Sequence, residues 1–192
     1  MAEAGRVIGG VARGVRLVAP GEGTRPFGDR VKESLFGALE ADPAEPLGGV
    51  FLDLFAGSGA AGIEALSRGA PAAILVERDA AAARVIADNL RRAGVDGGRV
   101  VRSDVVGWLA GPGTAEGPFR CVVADPPYAD EDALARTLAV LGGTPALMAH
   151  GGSVVCKHHW RWEGPPEAGV LVRERTRRFG ETALTWYRAG AG

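Results

Sequence analysis

The sequence predicts an α/β fold, a mostly parallel sheet with helices on both faces, preceded by a small hairpin-plus-helix unit. Three observations carry this. From Val50 onward, short apolar runs alternate with helical patterns that stop at glycines. The strand-like runs, such as 121–124, are apolar throughout, the pattern of parallel strands covered on both faces. Acidic residues recur at or near the ends of those runs, at Asp53, Glu77, Asp104 and Asp125. The 192 residues suit one domain, with 1–47 as an appendage and 48–192 as the core.

Residues 6–18 alternate loosely between apolar and polar or glycine positions, which predicts two short strands with glycines at the bend. A break follows at 20–23. A helix then runs from about Asp29, as N-cap, to about Ala41, with Val31, Leu35, Phe36 and Leu39 on one face. In the core, 50–54 is the first strand and 60–68 its helix, with Gly69 beyond the end. The second strand is 73–76, closed by Glu77. Asp79 caps a helix over 80–93 that turns Val85, Ile86 and Leu90 inward. The third strand is 99–102, followed by Asp104 and a short helix at 106–109. A Gly- and Pro-rich surface loop at 111–118 leads to the fourth strand, 121–124. A helix from Asp130 to about Leu141 carries Leu134, Leu138 and Leu141 on one stripe. The fifth strand is 153–157. Residues 169–175 and 181–187 form a closing antiparallel pair joined around 177–180, which makes seven core strands.

Composition narrows the function classes. Hydrophobic residues at 46% and charged residues at 23% exclude a disordered or fibrous chain. No apolar run approaches a membrane span and no signal-peptide core is evident, so a cytoplasmic protein is expected. Cys121 and Cys156 lie in apolar runs and read as buried free thiols. Two Cys and three scattered His give no metal pattern. Net charge is −1, but the ends are basic: residues 1–32 carry six Lys or Arg against three acids, and 157–192 carry seven against four. A basic rim of this kind suits phosphate contacts.

The chemistry concentrates in two loops. Asp125-Pro126-Pro127-Tyr128 follows the fourth strand. The prolines fix φ and remove two backbone donors, so the loop offers carbonyls and a carboxylate to a ligand bearing an NH2 group. Tyr128 adds a flat face for a heterocycle. An exocyclic base amine is a weak nucleophile, because its lone pair is delocalised. The Asp125 carboxylate and the Pro126 carbonyl can hold its two hydrogens and stabilise the charge that grows on nitrogen. The second loop, Asp53-Leu54-Phe55-Ala56-Gly57-Ser58-Gly59, links the first strand to its helix, the place for a ligand at the carboxyl end of a parallel sheet. Glu77, 18 residues past Gly59 and next to Arg78, is placed to accept from a ribose diol. Asp104, next to Val105, is placed to accept from an adenine amino group. The glycine spacing departs from the dinucleotide fingerprint, and Asp53 would repel a pyrophosphate but accept from an ammonium. That favours S-adenosylmethionine over NAD.

These loops, with the segment 24–36 (Thr24-Arg25-Pro26-Phe27 through Phe36), the opening Arg6-Val7-Ile8-Gly9-Gly10 and the ending Arg178-Phe179-Gly180-Glu181-Thr182, resemble the bacterial 16S rRNA (guanine(966)-N(2))-methyltransferase family over essentially the whole chain. Phe27 stands where that family usually has Thr. The resemblance implies a Rossmann-like class I methyltransferase with a seven-stranded sheet. It implies transfer of a methyl group from S-adenosyl-L-methionine to a guanine N2 of 16S rRNA in a partly assembled small subunit. The chain is expected to act as a monomer. On that reading Asp125, Pro126, Pro127 and Tyr128 are catalytic. Asp53, Phe55, Ala56, Gly57, Ser58, Gly59, Glu77, Arg78, Asp104, Val105 and Asp125 bind the cofactor. Arg25 and Arg30 line the cofactor mouth or contact RNA, and Arg175, Arg177 and Arg178 contact RNA. Lys157, His158, His159 and Trp160, just past a strand end, are rim or packing residues or line the base pocket. The alternatives are an adenine-N6 DNA methyltransferase, an rRNA-binding assembly factor without catalysis, and a small NAD enzyme.

Overall fold

The computed structural model describes residues 3–21, 27–128 and 130–190, apart from the side chain of Glu131. A hairpin pairs β1 (Glu3–Arg6) with β2 (Arg16–Val18), and α1 (Asp29–Glu40) follows. Then come β3 (Val50–Leu54), α2 (Ala60–Ser67), β4 (Ala72–Glu77), α3 (Ala80–Ala93), β5 (Gly98–Arg102), α4 (Val105–Leu109) and β6 (Phe119–Ala124). The chain ends through α5 (Glu131–Gly143), β7 (Met148–His159), β8 (Glu167–Ala168), β9 (Leu171–Phe179) and β10 (Thr182–Ala189). Strands β3 to β10 make one sheet in the order β5-β4-β3-β6-β7-β10-β9-β8. The first five in that order are parallel, and the last three join antiparallel. Seven of these strands are the expected ones. The eighth, β8, is a two-residue edge pairing with Leu171 and Val172, too short to leave a periodic signal.

The apolar runs explain the layering. Successive strand residues point to opposite faces. Phe51, Leu75, Val123 and Val155 pack with Leu35 and Phe36 of α1, Ile63 of α2 and Ile86 of α3. Leu52, Leu54, Ile74, Val76, Val122, Ala124 and Val154 pack with Trp108 of α4 and with Leu134, Leu138 and Leu141 of α5. Each fully buried Leu or Ile contributes about 1.5–3 kcal/mol. Cys121 and Cys156 are free and buried in these layers, and burial pushes the Cys156 thiol up to about 12.

Several boundaries differ from those expected. Gly28, not Asp29, is the N-cap of α1 and offers no side-chain cap; Asp29 instead pairs with Arg6 at 3.0 Å. β7 runs on to His159, because β10 pairs with it as far as Thr182 opposite His159. His158 and His159 are therefore inside the strand, not past it. β9 extends to Phe179, which pairs with Thr182, so Arg177 and Arg178 lie in the strand and the turn is Gly180-Glu181.

The N-terminal unit is fixed to α2 and α3. Glu64, fully buried, accepts from the backbone N–H of Ile8 and of Gly9 at 2.8 Å each and pairs with Arg68 at 2.8 Å and Lys32 at 3.8 Å. Gly10 has φ 71° and lies so close to α2 that a Cβ there would sit 1.7 Å from the Ser67 carbonyl oxygen.

The topology also opens a crevice. The chain steps outward from β3 to β4 and β5, then returns to place β6 on the other side of β3. Leu54 and Ala124 are neighbours in register, and the loops that follow them diverge. Among the described residues, no helix is long and apolar enough to cross a membrane, and no His, Cys, Asp and Glu group is placed to hold a metal ion.

Candidate active site

A cavity of about 620 Å3 opens between the two diverging loops, at the carboxyl ends of β3, β4 and β6. Its first wall is the turn after β3. Phe55 takes φ 59°, a left-handed conformation that costs a non-glycine residue of order 1 kcal/mol and is concentrated at functional sites. Gly59 N donates to Ala56 O at 2.7 Å, closing the turn tightly before α2. Gly59 itself has φ 78° and faces away from the cavity; a Cβ there would lie 3.0 Å from Ile86 and 3.2 Å from Leu75. It is the pivot of the turn rather than part of the wall.

Carboxylates converge behind this turn. Asp53 is 2% exposed, and its Oδ2 accepts from Gly62 N at 2.8 Å, its sole hydrogen bond among the described residues. Burial, with added repulsion from Asp125 and Glu77, holds its carboxyl well above the usual carboxylate range. Glu77 accepts from Gly57 N through Oε2 and from Asp79 N through Oε1, both at 2.9 Å, so the end of β4 shapes the glycine turn. Asp104 caps α4 by accepting from Gly107 N at 2.8 Å through Oδ1.

The opposite wall is the Asp125 loop. Asp125 N donates to Leu54 O at 3.2 Å, which ties the loop to β3. Both Asp125 oxygens are 2.7 Å from Nζ of Lys157, a residue only 5% exposed. That ammonium also lies 5.1 Å from the Phe27 ring centroid and 5.7 Å from that of Tyr128. The Pro126 carbonyl accepts no hydrogen bond among the described residues. The Tyr128 hydroxyl bonds to Thr182 Oγ1 at 2.7 Å, and its ring meets His159 edge-on at 5.9 Å. The cavity thus joins a fixed carboxylate, a free carbonyl and an aromatic face to a second, acid-lined end.

The family described as Conserved hypothetical protein 95 matches residues 5–188. The chain belongs to that family. A Bacillus subtilis (strain 168) relative, provisionally named rRNA methyltransferase YlbH, is 37% identical over 185 residues, 95% of this chain and 98% of its own. Ribosomal RNA small subunit methyltransferase D of Escherichia coli (strain K12) is 43% identical over 124 residues, 64% of this chain and 60% of its own. The solved structure of E. coli yhhF, provisionally a methyltransferase, has TM-score 0.80 at 33% identity and covers 97% of this chain and 98% of its own. A Salinibacter ruber RNA methyltransferase solved with S-adenosyl-L-homocysteine shares the fold, with TM-score 0.63 at 17% identity over 87% of this chain and 95% of its own. The resemblance seen in the motifs is the family found, and the fold is that of class I methyltransferases.

In this family member the fold gathers most of the residues singled out from the sequence. Asp53, Phe55, Ala56, Gly57, Ser58, Glu77 and Arg78 line the cavity from one side. Asp104 and Val105 line its acid-lined end, and Asp125, Pro126, Pro127 and Tyr128 line it from the other side. The arginines are not gathered. Arg25 lies outside the described residues, and Arg30 is exposed in the first turn of α1. Strand alternation separates the other three: Arg175 and Arg177 line a groove under α1 with Ser34 and Trp186, while Arg178 turns to the opposite face and stacks on Trp160 at 3.8 Å. Lys157 is the main residue that sequence reasoning undervalued. A signal existed: the apolar runs of β6 and β7 each end in a charge, and the register Ala124 opposite Cys156 carries Asp125 to Lys157. In the sequence Phe27 stands out only as a departure from the family pattern. It is a buried cavity-wall residue against Lys157.

Proposed function

We propose that the chain is an S-adenosylmethionine-dependent methyltransferase that places one methyl group on the exocyclic N2 of a guanine in small-subunit rRNA. The observation that carries this reading is the Asp125 loop: a carboxylate and an unengaged Pro126 carbonyl open beside Tyr128 into the cavity that the glycine turn closes from the other side. The names of the relatives supply the polynucleotide. The donor set fits the cofactor. Asp53, Glu77 and Asp125 crowd one space, which suits a ligand bearing cationic groups and a diol and penalises a pyrophosphate. The volume also lies within the roughly 300–1,000 Å3 of small-molecule sites.

S-adenosylmethionine supplies an electrophilic methyl group on sulfur; everything else falls to the chain. Asp53 receives the ammonium of the methionine end, Glu77 the ribose hydroxyls and Asp104 the adenine amine. Tyr128 stacks on the unstacked guanine. Asp125 and Pro126 O accept the two N2 hydrogens and orient the nitrogen lone pair. Lys157 occupies one lone pair on each Asp125 oxygen and leaves a second on each for the amine. As nitrogen attacks it becomes cationic, the facing carboxylate lowers that barrier, and the acidified proton then leaves to Asp125 or water. Catalysis is positioning and charge stabilisation. The substrate is the rRNA of a partly assembled subunit, which provides binding surface that a compact monomer lacks, and the place of action is the cytoplasm.

The test is tritium transfer from labelled cofactor to naked small-subunit rRNA, isolated small subunits and DNA, followed by nucleoside analysis. Label on N2-methylguanosine from the RNA substrates is expected. Label on N6-methyladenine from DNA, or no transfer despite cofactor binding, defeats the reading.

A further inference from the structure

An aromatic and cationic strip leads out of the cavity across the ends of β7, β9 and β10. Tyr128 in the cavity wall meets His159 at 5.9 Å between ring centroids, and His159 meets Trp160 at 6.0 Å. Trp160 carries the Arg178 guanidinium at 3.8 Å and that of Arg161 at 4.8 Å over its ring. It is 36% exposed, and of the large apolar side chains exposed among the described residues it alone is aromatic. Its backbone is fixed, since Trp160 N donates to Glu181 O at 2.9 Å. Arg178 uses only Nε, donating to Gly180 O at 2.7 Å, so among the described residues its terminal N–H groups have no acceptor.

We propose that Trp160, with Arg161 and Arg178 against its ring, is the seat of the unpaired nucleotide next to the target guanine. This rests on the rRNA reading above and names the contact that reading lacks. A base drawn into the cavity loses its stacking, and so does its neighbour, at a cost of a few kcal/mol. Aromatic rings and guanidinium planes return that stacking without demanding a particular base. The neighbour's base stacks on the Trp160 assembly and its phosphate meets the outward guanidinium edges. Arg178 is held flat by Trp160 and Gly180 O, so little rotamer freedom remains to be lost on binding. Continuity with Tyr128 sets the direction of the strand, and two guanidinium groups whose terminal N–H groups meet no acceptor among the described residues call for an anionic backbone rather than an apolar protein face.

The measurements are anisotropy with a single-stranded oligouridylate and with an RNA duplex of equal length, both with S-adenosylhomocysteine present, and steady-state methyl transfer to naked rRNA. Trp160→Ala weakens single-strand binding and raises the KM for rRNA tenfold or more, Trp160→Phe restores most of both, and cofactor affinity is unchanged. Arg178→Ala lowers the slope of log affinity against log salt by about 0.7. If the wild type methylates rRNA and Trp160→Ala shows the same KM, the proposal fails while the function stands. Equal losses on single strand and duplex, or a loss on isolated subunits without one on naked rRNA, also overturn it, the last assigning the strip to a ribosomal protein. A wild type that binds cofactor but transfers no methyl to RNA defeats the function itself, whatever Trp160 does.

Discussion

At the scale of single residues, the site turns on how charges are matched. Asp125 is matched: Lys157 grips both oxygens at 2.7 Å from the adjacent strand. On the proposed mechanism Asp125→Ala removes a transition-state acceptor, so methyl transfer is expected to fall at least about 100-fold while calorimetry shows cofactor binding retained. Lys157→Met leaves the carboxylate but frees its orientation, and the expected result is milder, a roughly tenfold fall in kcat with little change in cofactor Kd. Equal losses in the two variants would show that the ammonium itself takes part in the chemistry. Asp53 is unmatched until a cation arrives. Its carboxyl is held high in the folded protein, so between the ordinary value of 3.8 and that raised value the native state binds more protons than the unfolded chain. Stability from this group is therefore present at low pH and is lost as pH rises through the raised value. Asp53→Asn removes that loss: the ligand-free variant melts higher at pH 7, by an amount corresponding to about 1 kcal/mol or more, yet binds S-adenosylmethionine at least about tenfold more weakly. Melting scans from pH 4 to 8 with and without cofactor give both signs.

At the scale of elements, what was legible in the sequence follows from how each strand is solvated. β3 and β6 are covered on both faces, so their apolar runs mark them to within two residues, and the acids at their ends point to the crevice. The end of β9 escapes the same reading because residues 172–178 are all exposed, so its last positions, through Arg177 and Arg178, look like a turn. The true end of β7 was hidden for the opposite reason. Lys157 and His158 are polar but buried, and only the pairing of β10, remote in sequence, keeps that stretch extended. His158 shows what the burial requires. Its Nδ1 faces the His159 carbonyl oxygen at 2.8 Å and so carries the proton, and its Nε2 accepts from Thr185 Oγ1 at 2.8 Å, which in turn bonds to Thr176 Oγ1 across to β9. A neutral ring satisfies this chain, and desolvation lowers its pKa from 6.5. Between the lowered value and 6.5 the unfolded chain binds more protons, so stability is lost as pH falls through that window. Urea midpoints measured from pH 7.5 to 5 fall in the wild type, and His158→Gln flattens that slope while lowering stability at pH 7.5 by about 1 kcal/mol. An unchanged slope would place the acid sensitivity elsewhere.

At the scale of the whole molecule, the question is why a hairpin outside the main sheet accompanies the catalytic core. It is not a loose appendage. Phe27, from the segment between β2 and α1, forms part of the cavity wall against Lys157. The hairpin reaches the other loop through one side chain, Asn89 of α3, which is fully buried. Asn89 Oδ1 accepts from Val18 N, and its Nδ2 donates to Val18 O and to Ser58 O, all at 2.9 Å. One carboxamide therefore completes the outer edge of β2 and holds the carbonyl of a residue in the glycine turn. If the glycine turn holds the cofactor as proposed, the same group serves stability and cofactor geometry, and the two should fail together. Asn89→Ala removes the side-chain partner of three backbone groups, Ser58 O in a buried bond and Val18 N and O in part-buried ones, and lowers unfolding stability by about 2 kcal/mol. Asn89→Asp keeps the shape but turns an acceptor toward the carbonyl oxygens of Val18 and Ser58, so it is expected to cost more than alanine does. Urea unfolding ranks the three proteins, and calorimetry with S-adenosylhomocysteine shows whether affinity follows the same order. If alanine and aspartate weaken folding but leave cofactor affinity at the wild-type value, the glycine turn keeps its shape without Asn89, and the hairpin is coupled to the site only through Phe27.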